Sequence, residues 1–300
     1  MTDISMKQLR YFEALAQHGH FGRAALVCSI SQPALSLQVK ELEEIIGAPL
    51  VERGARQIRL TPLGEEFARR AQRILRAVDE LDELARASHS PLTGRLRLGV
   101  IPTVAPYLLP AVITAAAQRF PDLALQPREA VTQRLLADLV NGHLDTALVA
   151  LPLSEPMLHE QPLFEEEFVL VRPAAERDQR APSPQMLRAM RLLLLEEGHC
   201  FRDQALAFCR LPARQTQDLI EGSSLTTLVQ MVGAGLGVTL IPQMAVAVET
   251  RLASVAVTRL AAPRPTRTIG MVWRKTSPLA AQFEQLAELV RAAGATAPVD

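Results

Sequence analysis

The chain has few cysteines: Cys28, Cys200 and Cys209 are the only three in 300 residues. That is too few for a disulfide scaffold and fits a reducing compartment. It lacks any apolar run near the roughly 18 residues that a membrane-spanning helix needs. Its opening, MTDISMKQLRYF, has no charged segment followed by an apolar stretch and a small-residue cleavage site. No secretory signal is therefore expected, and the reading is a cytoplasmic protein with no membrane partner. Net charge is also missing, with 32 Lys+Arg against 32 Asp+Glu. This balance confines any basic surface to a local patch and leaves nucleic acid open as a partner. Lysine is nearly absent, only Lys7, Lys40 and Lys275, so arginine carries the positive charge.

What is present is ordinary for a folded protein. A composition 48% hydrophobic and 21% charged rules out wholesale disorder and fibrous architecture. The length suits two or three domains. The first 60 residues predict short helices over 7–17 and 21–27, then a third opened by Ser31-Gln32-Pro33. Ser31 can cap that helix, and Pro33 sits in the first turn, where its missing N–H does no harm. Leu35, Val39, Leu42 and Ile46 recur at helical spacing and share a buried face. Pro33, Ser36, Leu37 and Lys40 then point outward. The stretch 50–61, with arginines at 53, 56 and 59 around Gly54 and the alternation Gln57-Ile58-Arg59-Leu60, predicts a small β-ribbon.

Helices followed by a ribbon match a winged helix-turn-helix whose third helix enters the DNA major groove. Ser31 and Gln32 stand at a helix N-terminus, suited to phosphate and base edges. Ser36 and Lys40 are polar groups on the outward face, and Arg53 and Arg56 could reach phosphate from the wing. The alternative is a small helical bundle with solvated charges, and Leu37 has no base partner to offer. A long helix is predicted over 61–88. Phe67, Ile74 and Leu81 fall seven apart, with Ala71, Val78 and Ala85 between them. This is between two and three heptads, short of the length that marks a coiled coil, and it admits a helix pair between two chains or a helix lying on a neighbouring domain. The run SHSPLTG at 88–94 has linker composition. Strands (95–101, 123–129, 144–151, 168–171, 191–195, 238–241, 268–273) then alternate with helices (106–120, 132–141, 200–209, 225–232, 279–293). That alternation predicts an α/β sheet with parallel strands.

Residues 6–67 resemble the DNA-binding module of LysR-type transcriptional regulators. The match lies in LRYF, the Ala-Ala pair at 24–25, SQPALS at 31–36, LE at 42–43, the glycine at 47, LVER at 50–53 and LTPLG at 60–64. The order of segments extends the resemblance over essentially the whole chain. It implies a winged helix-turn-helix (1–61) and a linker helix for dimerisation (62–90). A two-lobed, periplasmic-binding-protein-like α/β effector domain follows, with one subdomain over 94–164 plus 268–300 and the other over 165–267. Such regulators commonly bind a double-stranded DNA operator as homodimers or homotetramers, and RNA polymerase is a further partner that the resemblance admits.

Cys200 follows Gly198-His199 at the start of a helix, where the helix dipole, His199 and Arg202 would favour a thiolate. Thiolate is the form that attacks peroxide. Nine residues of helix separate Cys200 from Cys209 by about 13.5 Å, whereas a disulfide needs Cα atoms roughly 4.4–6.8 Å apart. Bridging them requires the helix to rebuild, so the pair is a candidate switch. The alternative is two buried thiols in a core. A metal site from His199, Cys200 and Cys209 has poor spacing and no fourth ligand, and no cofactor or metal is expected. Cys28 reads as structural.

The pattern HC-x-RDQA-x-x-FC at 199–209, with IPTVAPYLLP at 101–110 and SLTTLVQMVGAGLGVTLIP at 224–242, resembles the hydrogen-peroxide-sensing members of that family. By this resemblance Cys200 reacts with peroxide and Cys209 resolves it, and a thiol reductant resets the pair. Thr103, Thr132, His199, Asp203 and Gln204 would hold peroxide or water around the sulfur. Such polar groups suit a small polar oxidant that needs a proton for its leaving hydroxide. Thr103 as a turn residue and Thr132 as a helix N-cap are the structural alternatives. Some peroxide-sensing members carry an arginine where this chain has Val229, so stabilisation at that point must come from other groups. The resulting expectation is a peroxide-sensing regulator, not an enzyme. The competing expectations are a LysR-type regulator answering an organic effector in the inter-lobe cleft, and a thiol peroxidase.

Overall fold

The structure, a computed structural model, describes residues 3–52, 58–87, 92–209 and 220–295. The chain divides into two units, Met1–Leu84 and Ala85–Asp300.

In the first unit α1 (Met6–His18) begins with a capping box. The Ser5 hydroxyl accepts from Gln8 N, and the Gln8 side chain accepts from Ser5 N. Phe12 and Leu15 of α1 pack with Ala24 of α2 (Phe21–Val27) and with Leu35 and Leu42 of α3 (Gln32–Ile46). Ser31 caps α3 as expected, accepting from Ala34 N at 3.3 Å. Leu35, Val39 and Leu42 are buried, but Ile46 is only half-buried. Glu43 takes an inward place instead, its Oε1 accepting from Leu50 N (2.8 Å) and Val51 N (3.1 Å). Backbone donors where the chain leaves the helix must find acceptors, and apolar periodicity alone cannot foresee that. The ribbon pairs β1 (Val51–Glu52) antiparallel with β2 (Arg59–Leu60). Arg53 and Arg56, predicted at its tip, lie outside the described residues.

The long helix α4 spans Pro62–Ala87. Gly64 in its first turn has a close neighbour, since a Cβ there would lie 2.0 Å from the Leu50 carbonyl oxygen. Ala71 and Leu75 are buried with Leu9, whereas Ile74 and Leu81 are 48% and 64% exposed. No helix among the described residues is long and apolar enough to cross a membrane.

The second unit runs β3 (Gly94–Val100), α5 (Ala105–Arg119), β4 (Leu123–Glu129), α6 (Thr132–Val140), β5 (Thr146–Leu151) and β6 (Leu158–Pro173). It continues through α7 (Pro184–Ala189), β7 (Leu192–Leu195), α8 (Cys200–Cys209), β8 (Ile220–Gly222), α9 (Leu225–Gly233), β9 (Val238–Pro242), α10 (Val246–Glu249) and β10 (Val255–Arg259). β11 (Thr266–Arg274) and α11 (Ala280–Ala295) close it. The strand order is β4-β3-β5-β11-β6-β9-β7-β8, with β10 on β6.

Two cores divide this unit. One gathers Leu98, Leu135, Leu148, Trp273 and Phe283, and the other Val169, Leu193, Phe201, Cys209 and Leu240. The expectation of parallel strands needs correction. β4, β3 and β5 are parallel in the first lobe, as are β8, β7 and β9 in the second. The strands that carry the chain between lobes run against them: β11 is antiparallel to β5 and β6, and β6 to β9. A strand arriving from the other lobe has no helical crossover before it, so nothing imposes the parallel direction.

Candidate functional site

The thiol pair sits on α8, with Cys200 its first residue and Cys209 its last. Gly198, at φ +96, turns the chain from β7 into the helix, a conformation that strains any residue with a Cβ. Cys200 is half-buried and Cys209 fully buried, and both are free thiols. Although α8 belongs to the second lobe, Cys200 packs against the core of the first. It lines a crevice with Ile101, Pro102, Thr103, Val131, Thr132, His199 and Phe201. The crevice holds ≈160 Å³ of space between atoms, with no room for a water-sized sphere.

Four of the predicted residues thus come together, and the topology explains how. Thr103 lies in the turn after β3 and Thr132 opens the helix after β4, so both stand at the carboxyl ends of parallel strands, where α/β sheets present ligands. Asp203 and Gln204 are not among the lining residues. Asp203 is exposed on the first turn of α8. The Gln204 Oε1 is buried with no hydrogen-bond partner among the described residues. Val229 packs in the second core, where an apolar side chain fits.

Thr132 is not an N-cap. Val131 has the capping backbone conformation, and Thr132 is the first helical residue. Its Oγ1 is buried without a partner among the described residues, at a cost of about 1–3 kcal/mol that a polar occupant would relieve. Thr103 is held by a residue that sequence reasoning missed. Arg267 Nη1 donates to Thr103 Oγ1 at 2.8 Å, and Nη2 donates to the Thr103 carbonyl at 3.0 Å. The same guanidinium pairs with Glu166 at 2.7 Å and lies 5.3 Å from the centre of the Phe201 ring. Glu166 in turn accepts from Met244 N. With a guanidinium on its oxygen, Thr103 keeps its own hydroxyl hydrogen to donate elsewhere. Arg267 shares strand parity with the buried Ile269, Met271 and Trp273, and a charged residue on a core-facing register was the available signal.

The expectation that His199 and Arg202 supply positive charge to Cys200 also needs correction. His199 is 7% exposed, and burial pushes its imidazole below the ordinary histidine range against the pull of Glu196 and Glu129. It is mainly neutral at pH 7. Arg202 is turned to other partners, donating to the Leu195 carbonyl at 2.9 Å and to Glu221 at 2.6 Å. What remains for Cys200 is its place at the helix N-terminus. Burial pushes the Cys209 thiol up to about 11, partly offset by Arg188, so Cys209 is protonated where it sits. Cys28 directly follows α2 as its C-cap, and burial followed by Glu13 raises its thiol.

In the first unit, Ser31, Gln32, Pro33, Ser36 and Lys40 all lie on exposed positions of α3 and its cap. Lys40 has only a loose partner, Glu44 at 3.6 Å with both side chains largely exposed. Leu37 is 55% exposed, as the helical wheel implied. Among the described residues no group of three or more His, Cys, Asp or Glu side chains is placed to hold a metal ion.

Comparison with known proteins gives two family matches. Residues 6–65 match the bacterial regulatory helix-turn-helix protein of the lysR family, and residues 89–295 match the LysR substrate binding domain. The chain is 46% identical over 299 residues to a probable hydrogen peroxide-inducible genes activator of Streptomyces viridosporus, covering 98% of this chain and 96% of that protein. It is 41% identical over 293 residues to the DNA-binding transcriptional dual regulator OxyR of Escherichia coli K12, covering 96% and 95%. Among solved structures, a full-length OxyR cysteine-to-aspartate variant from Pseudomonas aeruginosa superposes with a TM-score of 0.74 at 38% identity, covering 96% and 95%. A hydrogen peroxide-bound OxyR cysteine-to-serine mutant from Corynebacterium glutamicum gives 0.69 at 37% identity, covering 98% and 93%.

Proposed function

The chain belongs to the LysR family of bacterial regulators, and from that premise we propose that it is a peroxide-sensing, DNA-binding transcriptional regulator. In this reading Cys200 is the sensor, Cys209 resolves it, and the protein works in the cytoplasm. The observation that carries it is the meeting of the Cys200 thiol with Thr103, Thr132 and His199 in one crevice between the lobes. Long matches to proteins named as peroxide-inducible activators support it.

Hydrogen peroxide enters when the Thr103 turn and the first turn of α8 part slightly, since the closed crevice is too small for it. The Cys200 thiolate attacks one peroxide oxygen, the O–O bond breaks, and the departing hydroxide leaves as water once it gains a proton. Thr103 is a donor aimed at this exchange because Arg267 occupies its oxygen. The Thr132 hydroxyl, unpartnered among the described residues, and the His199 ring supply the other polar contacts. The product is a Cys200 sulfenic acid. The Cys209 sulfur then attacks it, an S–S bond forms, and a second water leaves. A cellular thiol reductant returns both thiols.

In the same reading, 1–61 forms the DNA-binding module, with Ser31, Gln32, Pro33, Ser36, Lys40 and Arg53 toward the operator. Residues 62–90 dimerise, with Ile74 and Leu81 as an apolar seam, and pairs of dimers give a homotetramer able to engage RNA polymerase. The effector lobes comprise 94–164 with 268–300, and 165–267. The test is the operator footprint of Cys200→Ser. Peroxide should change the footprint of the unaltered protein and leave that of the variant unchanged. A variant that still responds would point to a different signal, such as an organic effector in the cleft.

A further inference from the structure

Helix α8 is held by a guanidinium at each end. Near its start, the Arg202 side chain, 5% exposed, donates to the Leu195 carbonyl at the end of β7 and pairs with Glu221 of β8. At its finish, Arg188 of α7 donates through Nε to the Cys209 carbonyl at 2.6 Å. That carbonyl is one of the last in the helix and has no partner within it. A helix of ten residues depends on its tertiary anchors to persist.

We propose that Arg188 and the Arg202–Glu221 pair are positioning residues that set the rate of disulfide closure between Cys200 and Cys209; this rests on the peroxide-sensing function above. The ends of α8 lie about 13.5 Å apart along its axis, and a disulfide brings Cα atoms to roughly 6.8 Å at most. The ends must therefore approach by about 7 Å, far more than a hydrogen bond can stretch. At least one anchor has to open before the sulfurs meet. An interaction present at the start and lost on the way to the transition state slows that step. Neither anchor lines the crevice where peroxide would react. They act on the second step, in which the Cys209 sulfur attacks the Cys200 sulfenic acid and water leaves, and not on the first, in which peroxide oxidises Cys200.

The two steps can be timed separately on the full-length reduced protein. Quenched mixing with hydrogen peroxide, dimedone trapping of sulfenic acid, alkylation of free thiols and peptide mass analysis together give both rate constants. In Arg188→Ala and in Glu221→Gln the sulfenic acid should form at the unaltered rate, while closure accelerates by roughly threefold or more. Arg188→Lys, which keeps a cationic donor, should close nearly as slowly as the unaltered protein. Arg188 is exposed, so its variants retain the fold and decide the matter even if Glu221→Gln unfolds. Closure at the unaltered rate in Arg188→Ala, or both steps changing together, would overturn the proposal. Failure of the unaltered protein to form any Cys200 sulfenic acid is a different result, because it removes the peroxide-sensing function itself.

Discussion

Thr103 shows how one hydroxyl can be committed at one lone pair and left free at its hydrogen. Arg267 holds both its side-chain oxygen and its carbonyl. Thr103→Val keeps the shape and the carbonyl bond but deletes the donor. The rate of Cys200 sulfenic acid formation should fall on the order of 100-fold, while the thermal midpoint drops by a few degrees, because the buried Arg267 Nη1 loses its acceptor on Thr103 at a cost of about 1–3 kcal/mol. Dimedone-trapping kinetics with a melting curve check both halves. Arg267 itself is buried and ion-paired, and truncating it would strand the Glu166 carboxylate at a cost of about 3–5 kcal/mol. The cysteines and the residues around them were legible because they lie within one short motif or beside two others. Arg267 and Glu166 were not, because their partners lie 101 and 164 residues away along the chain. The charge state of His199 was also hidden, since burial decides it and burial is a property of the fold.

Among the elements, α3 is the one whose exposed face is proposed to meet DNA. Its cap and its buried stripe were readable from Ser31 and the Leu35, Val39, Leu42 spacing. The exposed Lys40–Glu44 pair contributes almost nothing to stability, so the ammonium is free to meet a phosphate. Lys40→Ala should weaken operator binding by a similar factor on different sequences. It should also reduce the slope of log affinity against log salt by about 1, as followed by fluorescence anisotropy across a salt series. An unchanged slope would remove Lys40 from the interface. Other elements left a weaker trace in the sequence. β6 spans 16 residues, yet only 168–171 read as a strand. Its first part, HEQPLFEEEF, alternates poorly because charged residues there are satisfied individually, as Glu166 is by Arg267. Likewise α7, β8, α10 and β10 were missed, being at most six residues each, too short for a periodic signal.

For the whole molecule, the order of parts was legible because the hydrophobic period changes along the chain from helical to alternating. The mixed sheet was not, since strand direction across lobes depends on where the chain returns. The proposed chemistry lies in the second unit and the proposed DNA contacts in the first, so a local event at α8 has to alter the assembly to be read at the operator. That event is the formation of one bond. After excess hydrogen peroxide, a tryptic digest under non-reducing conditions should contain peptide 192–202 joined to peptide 203–210 through Cys200 and Cys209. The joined species should disappear on reduction. If the digest instead yields both peptides with free thiols, from protein that still binds its operator, the account is wrong.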